Sequence, residues 1–208
     1  MTRIIGGSAG GRRLQTPSGE ATRPTTDRVR EALFSSIVAW WGSTGGLAGI
    51  RFLDLYAGSG AIGLEALSRG ADAATLVESD RRTAALIVAN ARTLGFAADV
   101  RSAGVRTTLG APPESPYDVV FSDPPYPLSD EALAEDLVQL QGWLAPDALV
   151  VVERSRRSPE PSWPPLIEGR RAKRYGETTL WYGRADLPDD QPGDAPTSHT
   201  SHASDEET

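Results

Sequence analysis

The 208-residue chain has no cysteine, so disulfides and thiolate metal sites are excluded. It has two histidines, His199 and His202, both in the final polar stretch. Their spacing could hold a metal, but an unstructured tail explains them better. Imidazole catalysis in the body of the chain therefore has no candidate. No apolar run is long enough to span a bilayer, and no signal peptide is evident. A cytoplasmic protein is expected. Residues 185–208 lack Lys and Arg and carry seven acids, Asp186, Asp189, Asp190, Asp194, Asp205, Glu206 and Glu207. Their Pro, Ser, Thr and Gly content predicts a disordered acidic tail.

That tail accounts for the whole net charge of −7: of 28 acids, 21 remain without it, against 21 Lys and Arg. The neutral body is uneven. Residues 1–30 carry Arg3, Arg12, Arg13, Arg23, Arg28 and Arg30 against Glu20 and Asp27. Residues 154–174 carry Arg154, Arg156, Arg157, Arg170, Arg171, Lys173 and Arg174 against Glu160 and Glu168. Two basic segments of this kind can bind phosphates.

The most informative stretch is Asp123-Pro124-Pro125-Tyr126. The apolar run 119–121 before it has the length and β-branching of a buried strand. Two prolines cannot continue a ladder, so Asp123 is presented at the strand's C-terminal end, where open α/β sheets bind ligands. A carboxylate and the Pro124 carbonyl are both acceptors and suit a substrate with an NH2 group. Two acceptors on an exocyclic amine favour a tetrahedral nitrogen with a usable lone pair. Tyr126 adds a flat surface for a planar base. The bland reading of the same residues is a turn.

Residues 52–63 supply a second motif. Phe52-Leu53-Asp54-Leu55 reads as a strand, Gly58-Ser59-Gly60-Ala61-Ile62-Gly63 fits Gly-x-Gly-x-x-Gly, and a helix follows. Glu78 ends the next apolar run, placed for a ribose diol. This pattern alone does not separate a nicotinamide cofactor from S-adenosylmethionine. Asp54 helps, since a carboxylate beside the loop repels a pyrophosphate and attracts an ammonium. The alternative reading of Asp54 is a strand-end carboxylate that caps the glycine loop; cofactor contact is favoured because Asp123-Pro124-Pro125-Tyr126 follows at a later strand.

Along the chain, residues 3–22, with glycine pairs 6–7 and 10–11, predict a hairpin with a mobile turn. Thr25 or Thr26 caps a helix from Asp27 to about Trp41, with Val29, Leu33, Ile37 and Trp40 facing the core. Strands 51–56, 74–78, 98–101, 117–122 and 148–153 alternate with helices 61–69, 80–94 and 130–141. Strands 170–175 and 178–183 close as a hairpin. The alternation predicts an α/β fold with a mostly parallel sheet and helices on both faces. Trp143 and Trp163 are assigned to packing. The expected organisation is a basic hairpin extension at 1–24, a catalytic domain at 25–184 and the tail at 185–208.

With these residues placed, residues 3–184 resemble the bacterial 16S ribosomal RNA guanine-N2 methyltransferases of the RsmD type. The resemblance rests on Arg3-Ile4-Ile5-Gly6-Gly7, on the run from Thr22 to Glu31, on Asp54-Leu55-Tyr56-Ala57-Gly58-Ser59-Gly60 and on Asp123-Pro124-Pro125-Tyr126. It implies a Rossmann-like class I methyltransferase with a seven-stranded sheet, S-adenosylmethionine as donor, and N2 of guanine 966 of 16S rRNA as acceptor, within a 30S assembly particle. By position, Asp54, Tyr56, Ala57, Gly58, Ser59, Gly60 and Glu78 would hold the cofactor, with Ser102 and Ala103 at its adenine end. Such enzymes often place Asp or Asn there; Arg101-Ser102-Ala103-Gly104 has neither. Asp123, Pro124, Pro125 and Tyr126 would hold the guanine, and Arg3, Arg12, Arg13, Arg23, Arg154 and Arg156 the RNA. A monomer without a metal is expected.

Three other readings bear on the same residues. An adenine-N6 or cytosine-N4 methyltransferase could use the same four residues, but no long target-recognition insertion is present. A nicotinamide-dependent oxidoreductase leaves Asp123-Pro124-Pro125-Tyr126 unexplained. A non-catalytic RNA-binding module leaves the acceptor residues unexplained as well.

Overall fold

In the computed structural model, residues 2–17, 26–42 and 46–186 are described. The tail beyond residue 186, together with Arg23 and Thr25, lies outside them. Seven strands form one sheet: β3 (Arg51–Asp54), β4 (Ala73–Glu78), β5 (Asp99–Ser102), β6 (Tyr117–Ser122), β7 (Leu144–Ser155), β8 (Ile167–Tyr175) and β9 (Thr178–Ala185). Their order is β5-β4-β3-β6-β7-β9-β8. The first five run parallel; β9 pairs antiparallel with β7, and β8 antiparallel with β9. The crossover helices are α2 (Ala61–Ser68), α3 (Arg81–Leu94), α4 (Val105–Leu109) and α5 (Asp130–Leu140), and α1 (Asp27–Trp40) precedes the sheet. The strand order reverses between β3 and β6, and a crevice opens at their C-terminal ends.

The strands alternate their side chains between two cores, as period-2 geometry requires. Phe52, Val119, Phe121, Leu149 and Val151 join Leu33, Phe34 and Ile37 of α1 and Ile87 of α3 on one face. Leu53, Val120, Val150 and Val152 join Val105 and Leu109 of α4 and Leu133, Leu137 and Leu140 of α5 on the other. Trp143 is buried, stacks on Tyr117 and donates its indole N–H to the Leu109 carbonyl at 3.3 Å. Trp163 packs beside the second core. Both tryptophans are packing residues, as expected.

Thr26 caps α1, its hydroxyl accepting from the Val29 N–H at 3.3 Å. Val29, Leu33 and Ile37 are buried, and Trp40 is partly so. Three features escaped the sequence pattern. α4 is five residues long, too short for a legible period. β7 begins at Leu144, before its apolar run, and a register irregularity against β6 accommodates the polar Asp147. β9 extends through Ala185, so ordered chain continues into what was read as tail.

The N-terminal hairpin is shorter than expected, with β1 (Thr2–Arg3) paired to β2 (Arg13–Leu14). Its Gly6-Gly7 pair, read as a mobile turn, is fastened to α2. The Ile5 and Gly6 N–H groups donate to the buried Glu65 carboxylate at 2.6 and 2.8 Å. Ser68 Oγ donates to the Gly6 carbonyl at 2.6 Å. Gly7 has φ +76°, and a Cβ there would lie 1.8 Å from the Ser68 carbonyl oxygen. Ile4, Ala9 and Leu14 join the α1 core, so this segment shares the central core rather than standing apart.

Candidate active site

Three parallel strands end in carboxylates around the crevice. β3 ends at Asp54 and β4 at Glu78; β6 ends one residue before Asp123. After Asp54 the chain turns through the glycine loop, pinned by Leu55 N–H to the Phe121 carbonyl and Ala57 N–H to the Val77 carbonyl. Gly60, with φ +79°, forms the N-cap of α2 without a side chain to cap it. Asp54 supplies the missing acceptor, its Oδ2 accepting from the Gly63 N–H at 3.0 Å. A Cβ on Gly63 would lie 2.6 Å from Leu76, so this glycine lets α2 sit close on β4.

Asp54 is 1% exposed, and the structure shows its capping role directly. Burial pushes its carboxyl up from 3.8 to about 7; the Gly63 bond works against this and Glu78 adds to it. Glu78 is held by the loop it faces. Its Oε2 accepts from the Gly58 N–H at 3.0 Å and its Oε1 from the Asp80 N–H at 2.8 Å. Gly58, with φ +54°, has nothing within 4 Å of where a Cβ would stand. A buried Asp54 and a partly buried Glu78 beside the glycine loop fit an adenosine-type cofactor bearing an ammonium and a ribose diol. Ser59 is tied through its carbonyl to Asn90 Nδ2 at 3.1 Å. Tyr56 points its hydroxyl away to Asp136 on α5, donating at 2.6 Å. Burial, then that carboxylate, raise its pKa. Ser102 is exposed and Ala103 partly so, at the end of β5.

Across the switch point, Asp123, Pro124 and Tyr126 line a groove of about 1090 Å³. Asp123 is partly buried and Pro124 buried, while Tyr126 is 92% exposed. The loop closes with Leu128 N–H donating to the Pro125 carbonyl at 2.9 Å. Asp123 is pushed well above the usual carboxylate range, first by burial and then by Glu153 and Asp54, with Arg154 opposing. Arg154 reaches Asp130 at 2.7 Å and the Leu128 carbonyl, so it braces this loop rather than standing free for RNA. Among the described residues no cluster of three or more His, Asp or Glu could hold a metal.

The other cations expected to contact RNA lie elsewhere. Arg3 pairs with Asp27 at 3.1 Å, and Arg12 bonds the Thr93 carbonyl. Arg13 and Arg156 are exposed but do not line the groove, and Arg23 lies outside the described residues. The cations that line it besides Arg154 are Arg28, Arg157 and Arg174.

One protein-family model, described as conserved hypothetical protein 95, matches residues 2–184. The chain belongs to this family. It is the RsmD type of class I S-adenosylmethionine-dependent methyltransferase. Over 180 residues the chain is 40% identical to ribosomal RNA small subunit methyltransferase D of Escherichia coli K12, covering 84% of this chain and 85% of that protein. It is 37% identical over 161 residues to the Haemophilus influenzae protein of the same name, covering 76% and 80%. The solved Escherichia coli protein yhhF superposes with a TM-score of 0.77 at 36% identity, covering 89% of this chain and 98% of that one.

In this RsmD-type chain the site holds two residues the sequence did not assign to it, Glu153 near the end of β7 and Tyr175 at the end of β8, while the three groove arginines belong to the two basic segments. A signal was available for Glu153. It ends the apolar run 148–152 just as Asp54, Glu78 and Asp123 follow theirs.

Proposed function

We propose that this protein transfers a methyl group from S-adenosylmethionine to the N2 amine of a guanine in 16S rRNA, in maturation of the small ribosomal subunit. The observation that carries the reading is the pairing of an acceptor carboxylate with an uncovered ring. Asp123 sits partly buried at the head of the groove while Tyr126, three residues on, is 92% exposed beside it. A lone aromatic left this open beside the acceptor carboxylate matches a stacking platform for a splayed base. The 16S rRNA substrate is supported by the names of the relatives.

When bound at the glycine loop, the cofactor supplies a methyl on a cationic sulfur. The chain's own residues do the rest by placement and charge. Tyr126 stacks the guanine, and Asp123 and the Pro124 carbonyl accept from the two N2 hydrogens. This holds the nitrogen lone pair toward the cofactor side of the crevice. Asp123 accepts best when ionised, and Arg154 opposes the burial and the Glu153 and Asp54 charges that raise its pKa. Once the nitrogen carries the new group, it loses a proton to Asp123 or to water. Arg28, Arg157 and Arg174 bind flanking phosphates.

The test is methyl incorporation into deproteinised rRNA and into partly assembled 30S particles, with the modified nucleoside identified by mass spectrometry. N2-methylguanosine at a single position supports the reading. N6-methyladenosine or N4-methylcytidine overturns it.

A further inference from the structure

Glu153 is a buried carboxylate that the chemistry above does not use. It stands on β7 directly after Val152, and Val152 is paired with Ser122 of β6, the residue before Asp123. The two acids therefore follow side by side from neighbouring parallel strands. Both line the same groove with Pro124 and Tyr126. Glu153 is 8% exposed, and its charge acts on the Asp123 carboxyl. The Thr178 hydroxyl, from β9, approaches its Oε1 at 3.5 Å. Holding a buried acid beside a partly buried one is costly to the fold.

The substrate gives such a pair a use. In guanine the N2 amine adjoins N1–H, so that edge presents contiguous donors. In adenine and cytosine the ring nitrogen beside the amine carries a lone pair instead. One acceptor at the amine would serve all three bases. A second acceptor beside it matches guanine and opposes the other two. We propose that Glu153 accepts the N1–H of the target guanine while Asp123 holds its N2 amine, so that Glu153 sets the base preference of the site. This rests on the guanine-N2 reading above. Sites built to hydrogen-bond a donor reject analogues lacking it far more strongly than apolar pockets reject a missing methylene. The ladder to β9 positions the backbone of Glu153, and Thr178 from that strand approaches its carboxylate.

The experiment compares small-subunit particles carrying guanine or 2-aminopurine at the mapped target position. 2-Aminopurine keeps the N2 amine but presents a lone pair at N1. Wild-type enzyme should prefer guanine by about a hundredfold or more in kcat/KM. Glu153→Gln places an amide there, which can donate to that lone pair. Its guanine activity should fall and its 2-aminopurine activity rise, shrinking or inverting the ratio by about a hundredfold. Glu153→Asp keeps an acceptor, so it should lose rate but retain the preference for guanine. S-adenosylmethionine affinity and the melting temperature of each variant separate misreading from misfolding. If wild type takes both bases equally, or if the ratio is the same in Glu153→Gln as in wild type, Glu153 is not the reader although the guanine reading stands. If the product maps to adenine or cytosine, the guanine reading falls and this assignment with it. Should Glu153→Gln fail to fold, the wild-type and Glu153→Asp ratios still decide.

Discussion

Asp54 has two possible duties, helix cap and ammonium partner, and pH separates them. The free carboxyl is pushed up to about 7 because it is 1% exposed, so it is largely protonated at mildly acid pH. Binding a cation beside it requires the charged form. Binding therefore releases a proton whenever the pH lies below about 7, and affinity falls as pH falls. The slope approaches tenfold in Kd per pH unit, so between about pH 7 and about pH 5.5 S-adenosylmethionine should weaken by roughly tenfold or more. The folded protein also binds this proton more tightly than the unfolded chain does. Free-protein stability should thus decline as pH rises from about 4 to about 7, by about 3 kcal/mol from this group, and Asp123 acts in the same direction. Asp54→Asn keeps an acceptor for the Gly63 N–H and removes the ionisation. Titration calorimetry across this range, in buffers of different ionisation enthalpy, measures both Kd and proton release. 5′-Methylthioadenosine lacks the amino-acid moiety and should bind with little pH dependence. Equal slopes for the two ligands, or no slope for S-adenosylmethionine, would refute the ammonium contact and leave Asp54 as a cap alone.

Asp123→Ala should leave cofactor affinity nearly intact while kcat falls by about 2–4 kcal/mol of barrier, read by single-turnover methylation; near-normal turnover removes the acceptor assignment. Tyr126→Phe should be tolerated and Tyr126→Ala should lose about 1–3 kcal/mol of RNA binding, since only the ring face is needed. If Phe is as damaging as Ala, the hydroxyl has a role. Reversing Arg28, Arg157 and Arg174 to Glu should weaken rRNA binding and flatten its salt dependence, whereas the same change at Arg12 and Arg13 should do less. A flattened slope in the second variant alone would move the RNA surface to the N-terminal hairpin. Gly7→Ala should cost more than about 1 kcal/mol in chemical denaturation, because its Cβ meets the Ser68 carbonyl at a left-handed φ.

The central strands β3, β4 and β6 were legible because they are buried almost throughout and read as short apolar runs between glycines and helix caps. The chemistry was legible where a motif was local, as at Asp54 and Gly58–Gly60 or Asp123–Tyr126. What escaped depends on neighbours distant in sequence. Arg154 reads as one of a basic run, yet its partner Asp130 comes from the start of α5, and only the fold brings them to 2.7 Å. Arg12 and Arg13 share a charge pattern with Arg28, but β1 and β2 carry them away from the groove while α1 delivers Arg28 to it. Glu65 sits mid-helix in an apolar sequence and gives no sign that it binds the backbone of Ile5 and Gly6.

The anchorage of the N-terminal segment has a consequence for how the chain is made. Ile5 and Gly6 wait for Glu65, about sixty residues downstream, and Gln15 waits for Asn90, whose side chain both accepts from and donates to its backbone across 75 residues. During synthesis this segment has no place to dock until α2 and then α3 have left the ribosome. That closing step also reaches the glycine loop, because Asn90 bonds the Ser59 carbonyl with the same amide that it offers to Gln15. Competence for the methyl donor should therefore be acquired late in folding. A fusion partner placed ahead of residue 2 acts on that last step.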